Sequence, residues 1–249
     1  MEWTDHGIVL SARRHGESAV IASLLTREHG RHSGLVRGGA GSRARGIYQP
    51  GNRVAARWRG RLAEHLGSYS CELSRSTAAG VLDDALALAV LRAACAVTEA
   101  ALPERHPYAR VYETLDALLD KVAAGAKGLV AHYIRWELVL LAEIGYGLDL
   151  TACAATGSND NLAYVSPKTG RAVSLSAGEP YRDRLLPLPA FLLGESPPGG
   201  SVPAGDLAAG LRLTGYFLDR HVLSGGRTPP APRRRLEAMV AAPRSPARC

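Results

Sequence analysis

Over the first 80 residues apolar positions come in short runs or alternate with polar ones; beyond residue 81 they recur at helical spacing. Apolar runs at residues 8–11, 19–25 and 34–36 are broken by Gly16 and Gly30 at hairpin-like intervals. The segment "RVAARW" places Val54, Ala56 and Trp58 on one face of a strand and Arg53, Ala55 and Arg57 on the other. "LAEHLGSYSCEL" supplies a fifth strand. Five short strands with a long glycine-rich loop after the third predict a small barrel of the OB type; a five-stranded SH3-like barrel has the same outline.

The second part reads as helix. "DDALALAVLRAACAVTEAAL" opens with acids suited to a helix N-terminus and closes at Pro103. "HPYARVYETLDALLDKVAAG" has proline in its first turn and ends at Gly125. "GLVAHYIRWELVLLAEIGYG" predicts a third helix, "LAAGLRLTGYFLDRHVL" a fourth and "PRRRLEAMV" a short last one. Between them, a polar, turn-rich stretch predicts a small irregular or β-hairpin insert. On the third helix, at about 100° per residue from His132, the apolar side chains cover an arc from roughly 40° to 240°. His132, Arg135 and Glu143 occupy the opposite side. Glu137 falls inside the apolar arc, where a carboxylate requires a partner, either an arginine or backbone N–H groups.

The class expected is therefore α+β: a five-stranded OB-type barrel at 1–80, a helical domain at 81–241 with an insert at about 151–190, and a frayed tail at 242–249. At 249 residues the chain can bury two modest cores. No run approaches the roughly 18 apolar residues of a membrane span, and the opening "MEWTDHGIVL" lacks a secretory pattern, so a cytoplasmic location is expected. The net charge is +7. Of 30 basic residues 27 are arginine, a bias that a GC-rich genome would produce by itself, so their distribution carries more information. Residues 27–61 hold nine arginines against one acid, Glu28, which points to a polyanionic partner. Arg31, Arg37, Arg43, Arg45, Arg53, Arg57, Arg59 and Arg61 are the candidate phosphate-binding set, acting by counterion release without reading sequence. Of the barrel aromatics Trp3, Tyr48, Trp58 and Tyr69, at least two are expected in the core, leaving electrostatics dominant over stacking.

Catalytic signatures are missing. "GGAGSRARG" lacks a GK[ST] ending, and GxGxxG, GxSxG and HExxH do not occur. Cys71, Cys95, Cys153 and Cys249 lie far apart with no CxxC, so neither a metal site nor a disulfide framework is expected, and no cofactor. Cys153 reads as a small buried apolar residue.

The order "GIVL…GES…LLTREHG…VRGG…YQPG", followed by "RWELVLLAEIGYGLDLTAC" and "GYFLDRHVL…RRRLEAM", resembles the RecO family of bacterial recombination-repair mediators. The resemblance implies an N-terminal OB-fold, a helical C-terminal domain with an insert, and no enzymatic activity. It implies binding to single- and double-stranded DNA, annealing of complementary strands and help in loading RecA. It implies as partners RecR and the acidic C-terminal tail of single-stranded DNA-binding protein (SSB), and hence a nucleoid-associated location. The family's tail-binding arginine in an "R-aromatic-E" segment maps onto Arg135, with His132 beside it. Many members bind zinc through four cysteines in the insert; here only Cys153 stands at such a position, so zinc is not carried over. The basic loop is shorter than in some relatives. Two rival readings of the residues remain, an RNA-binding OB module in translation or ribosome assembly and a hydrolase with a non-local active site.

Overall fold

Alternation in the first 80 residues becomes five strands: β1 (Glu2–His15), β2 (Ala19–Thr26), β3 (Gly30–Val36), β4 (Arg53–Arg59) and β5 (Ser68–Arg75). They close into a barrel in the order β1-β2-β3-β5-β4. The computed structural model describes residues 1–62, 64–194, 201–222 and 229–242, so the tail expected to fray lies almost wholly outside the described residues. β4 behaves as its alternation predicts, with Val54, Ala56 and Trp58 buried and the residues between them turned outward. Those three join Val9, Val20, Ala22, Leu24, Val36, Tyr48 and Tyr69 in the barrel core. β1 is much longer than its apolar run. It pairs with β4 from Glu2 to Ile8 and with β2 from Gly7 to His15, and a register shift between Val9 and Ser11 bends it between the two partners.

Part of the glycine-rich loop is a short helix, α1 (Ser42–Ile47), which the glycine content concealed. It is held by tertiary contact, since Ala40, Ala44 and Ile47 pack against the barrel core. Two long helices follow, α2 (Ala85–Ala101) and α3 (Ala109–Ala123). Asp84 caps α2, its side chain accepting from the backbone N–H groups of Leu86 (3.0 Å) and Ala87 (2.9 Å). Helix α3 buries Val111, Leu115, Leu118, Leu119 and Val122, one stripe at helical spacing.

The chain forms two compact units, Met1–Lys127 and Gly128–Cys249. By compactness the division falls after α3. The reason is chemical: α3 supplies the acids that pair with barrel arginines, and Glu99 of α2 accepts from Ser11 (2.7 Å) and Arg13 (3.2 Å) of β1.

In the second unit α4 (Leu129–Glu143) packs against α6 (Ala204–Phe217), and α6 against α7 (Ala231–Ala241). The polar insert carries a three-stranded sheet in the order β7-β6-β8, from β6 (Leu162–Val165), β7 (Ala172–Ser174) and β8 (Leu186–Pro187), with the single turn α5 (Leu175–Gly178) after β7. Among the described residues no helix is long and apolar enough to cross a membrane.

Candidate nucleic-acid interface

The fold sorts the arginine band into two groups. Arg53, 11% exposed, donates to Asp116 Oδ1 (2.5 Å) and Asp120 Oδ1 (2.6 Å) of α3 and to Thr77 Oγ1 (2.9 Å). Arg31, 18% exposed, donates to Leu102 O (2.8 Å) and pairs with Glu104 (3.2 Å). Both attach the helices to the barrel and are neutralised. Arg57 is exposed and pairs with Glu2, whose carboxyl is held below the usual carboxylate range by that hydrogen bond. Arg37, Arg43, Arg45, Arg59 and Arg61 are exposed and make no ion pair among the described residues.

Strand register brings several of these five together. Leu35 of β3 pairs with Ser68 of β5, and Ser68 pairs with Arg59 of β4. Arg37 follows the end of β3 and Arg61 follows the end of β4, so Arg37, Arg59 and Arg61 share one end of the barrel. Strands lie about 4.8 Å apart, which puts these charges within reach of successive phosphates of one strand. Arg43 and Arg45 ride on α1, just beyond Arg37.

Base stacking contributes little to this face. Trp58 and Tyr69 are buried in the barrel, Tyr48 is buried except where it lines a cavity beside α1, and Trp3 is partly buried between His29 (4.1 Å, nearly parallel) and Trp58 (5.7 Å). Trp58 Nε1 donates to Leu66 O (3.1 Å), and the β4–β5 loop closes directly over the ring. A Cβ at Gly67, where φ is +59°, would lie 2.4 Å from that indole, so the loop needs glycine there. His32 is also buried; desolvation holds its imidazole below the usual range against the raising effect of its hydrogen bond to Ser33 O, so it adds no charge.

In the second unit, the carboxylate inside the apolar arc has its partner. Glu137, fully buried, accepts from Arg233 Nε (2.8 Å) and Nη2 (3.2 Å), Tyr133 OH (2.7 Å) and Thr214 Oγ1 (2.5 Å). Burial works against the charge of Arg233, and Glu137 more than offsets it, so its pKa is raised. Sequence reasoning missed Arg233. The available signal was its spacing, three residues before the buried Leu236 on the short last helix.

Arg135 lies on the exposed side of α4, as its angle predicts, but it is held there. Its guanidinium donates to Phe191 O (2.9 Å) and sits 5.4 Å above the Phe191 ring. His132 is half-buried one turn earlier. Cys153 is buried, its thiol against Ser174 Oγ (3.4 Å) and its sulfur accepting from Ser174 N (3.2 Å). These neighbours do not fit a zinc site: among the described residues no cluster of three His, Cys, Asp or Glu could hold a metal ion.

The molecule is thus an α+β protein with an N-terminal OB-type barrel and a mainly helical second unit. The family model described as recombination protein O N terminal matches residues 1–76, and that for recombination protein O C terminal matches residues 82–228. The chain is 58% identical to the DNA repair protein RecO of Rhodospirillum centenum over 90% of its own length and 88% of that relative. Against the DNA repair protein RecO of Rhodospirillum rubrum it is 53% identical over 94% of each chain, and against that of Granulibacter bethesdensis 50% over 94% and 93%. The chain belongs to the RecO family of DNA repair proteins.

Proposed function

We propose that the chain is a non-enzymatic mediator of recombinational repair. It binds single- and double-stranded DNA, anneals complementary strands and, with RecR, helps load RecA onto strands covered by SSB. It acts in the cytoplasm, at the nucleoid. One observation carries the reading: the acids of α2, α3 and the segment between them neutralise Arg13, Arg31 and Arg53 and leave Arg37, Arg43, Arg45, Arg59 and Arg61 unpaired among the described residues. Exposed fixed charges without internal partners bind a phosphate chain by releasing its counterions.

With about five phosphates neutralised, log K for a single strand should fall against log salt with a slope of roughly −3.5. Changing Arg43, Arg45, Arg59 and Arg61 to glutamine should bring the slope to about −0.7, one remaining contact. Fluorescence anisotropy of a labelled oligonucleotide, titrated at several salt concentrations, measures both. A wild-type slope near zero would dismiss the arginine face, and tighter binding of RNA than of DNA of equal length would favour a translation-related module. Strand annealing with and without SSB then tests the mediator role.

Arg135 and His132 are the proposed contact for the acidic SSB tail. Arg135 stacked on Phe191 keeps part of its guanidinium fork at the surface, a charge-assisted donor for a carboxylate. The Arg135→Glu change should weaken binding of a tail peptide about tenfold, or 1.4 kcal/mol, and leave single-strand affinity unchanged. Loss of the Phe191 contacts should cost about 0.5–1 kcal/mol of stability. Calorimetry with the peptide and anisotropy with the strand separate the two affinities; a drop in the second alone would reassign this surface.

A further inference from the structure

Beside α1 the barrel wall opens into a cavity of about 360 Å³. Its lining includes Ala12 and Arg14 of β1, Val20 of β2, Ala40 in the turn after β3, and Arg45 and Tyr48 of α1 and its end. The bend in β1 makes the opening. Pairing of β1 with β4 stops at Ile8, and only Val9 is bonded beyond it, by the backbone of Gly51 and Asn52. From residue 10 to 15 that edge of β1 has no strand partner among the described residues. Gln49 also lines the cavity; its Nε2 donates to Arg45 O (3.0 Å), which leaves its carbonyl oxygen available as an acceptor.

Three chemistries meet in this place. Val20, Ala40 and the Tyr48 ring make an apolar floor. Arg14 and Arg45 are exposed cations with no ion pair among the described residues. The open strand edge and Gln49 offer hydrogen bonds in a plane. A flat heterocycle with a polar edge and an attached phosphate needs that combination, and the volume stands at the small end of the roughly 300–1,000 Å³ of ligand sites, enough for one such unit. We propose that this cavity seats a single unstacked nucleotide, its base over Tyr48 and Val20 and its phosphate between Arg14 and Arg45. The proposal rests on the reading of the barrel as a single-strand surface. A nucleotide within a strand is the favoured source, because Arg37 and Arg43 stand nearby in sequence to take neighbouring phosphates; a free mononucleotide has the same chemistry. A duplex base, paired and stacked, cannot enter without being extruded at a cost of a few kcal/mol.

The test uses the full chain and Ala12→Phe, which fills the cavity from an exposed strand position that tolerates an aromatic ring. Affinity for a short single-stranded oligonucleotide should fall about tenfold, within the range that stacking of one base supplies, and affinity for a duplex of the same length should not change. A 5-iodouracil oligonucleotide irradiated on the wild type should crosslink at Tyr48, and Ala12→Phe should abolish that adduct. Arg14→Ala, a change at an exposed residue, should weaken single-strand binding in the same direction and serves if Ala12→Phe does not fold. Equilibrium dialysis with AMP forms the second arm: binding of AMP that Ala12→Phe removes, with strand affinity unmoved, assigns the cavity to free nucleotides. If strand, crosslink and AMP are all indifferent to both variants, the proposal is overturned. A wild type that binds no strand at any salt concentration overturns the reading of the arginine face instead, and the AMP arm then judges the cavity alone.

Discussion

Replacing Arg233 with methionine is expected to lower the free energy of unfolding by about 3–5 kcal/mol, the range for removing one partner of a buried ion pair. Arg233 is 2% exposed and Glu137 is fully buried, so no water can replace the lost guanidinium. Tyr133 and Thr214 would still donate to Glu137, but two neutral hydroxyls do not balance a buried carboxylate. Arg233 also donates to Leu211 O (2.8 Å) and pairs with Glu237 (3.3 Å), so α7 would lose its polar attachment to α6. Changing both residues, Arg233→Met with Glu137→Leu, should recover most of the loss, because an apolar pair of similar volume leaves no charge stranded. The hydroxyls of Tyr133 and Thr214 would then lack their acceptor; Thr214 retains Gly210 O (3.1 Å), so about 1 kcal/mol should persist. Urea denaturation of the three variants measures this. A single-mutant loss below about 1 kcal/mol, or a double mutant no better than the single, would falsify the account of the pair.

Gly30→Ala should cost about 3 kcal/mol, the sum of backbone strain and overpacking. Gly30 begins β3 with φ +68°, and a Cβ there would stand 2.0 Å from the carbonyl oxygen of His106. The carbonyl is backbone and a Cβ has no torsion of its own, so no rotamer change relieves the contact. The segment before α3 would have to move away from β3. That movement would pull on the bond from Arg105 N to Arg31 O (2.8 Å) and on the Arg31–Glu104 pair. Gly16, also at positive φ but with open space around it, is the control: Gly16→Ala should carry only the strain, about 1 kcal/mol. Equal losses at the two positions in guanidinium denaturation would mean that the close approach at Gly30 has no energetic weight.

The strands and long helices were legible because their signals are local. Alternation in "RVAARW" sets which side of β4 is buried whatever the barrel closes on, and Asp84 caps α2 through atoms two and three residues away. Glu137 was legible in part. Its angle on α4 placed it among apolar side chains and demanded a partner, but the partner lies 96 residues further on. Helix α1 was hidden for the opposite reason: Gly46 within it and the glycines before it disfavour helix locally, and packing of Ala44 and Ile47 on the barrel overrides them.

Sequence alone determined that the first half carries concentrated positive charge, that it lies on and between short strands, and that a central helix of the second half buries a carboxylate. Only the tertiary structure decided which arginines are free. Arg53 and Arg59 occupy the same strand and face outward alike, yet Asp116 and Asp120 of a helix more than 50 residues away neutralise the first, while the second, opposite Glu2 on β1, makes no ion pair among the described residues. Hydrophobic period is a property of neighbours along the chain, so composition and order reveal it. The availability of a charge depends on which opposite charge the fold brings within about 4 Å, and long-range pairing is where a linear pattern carries no distance.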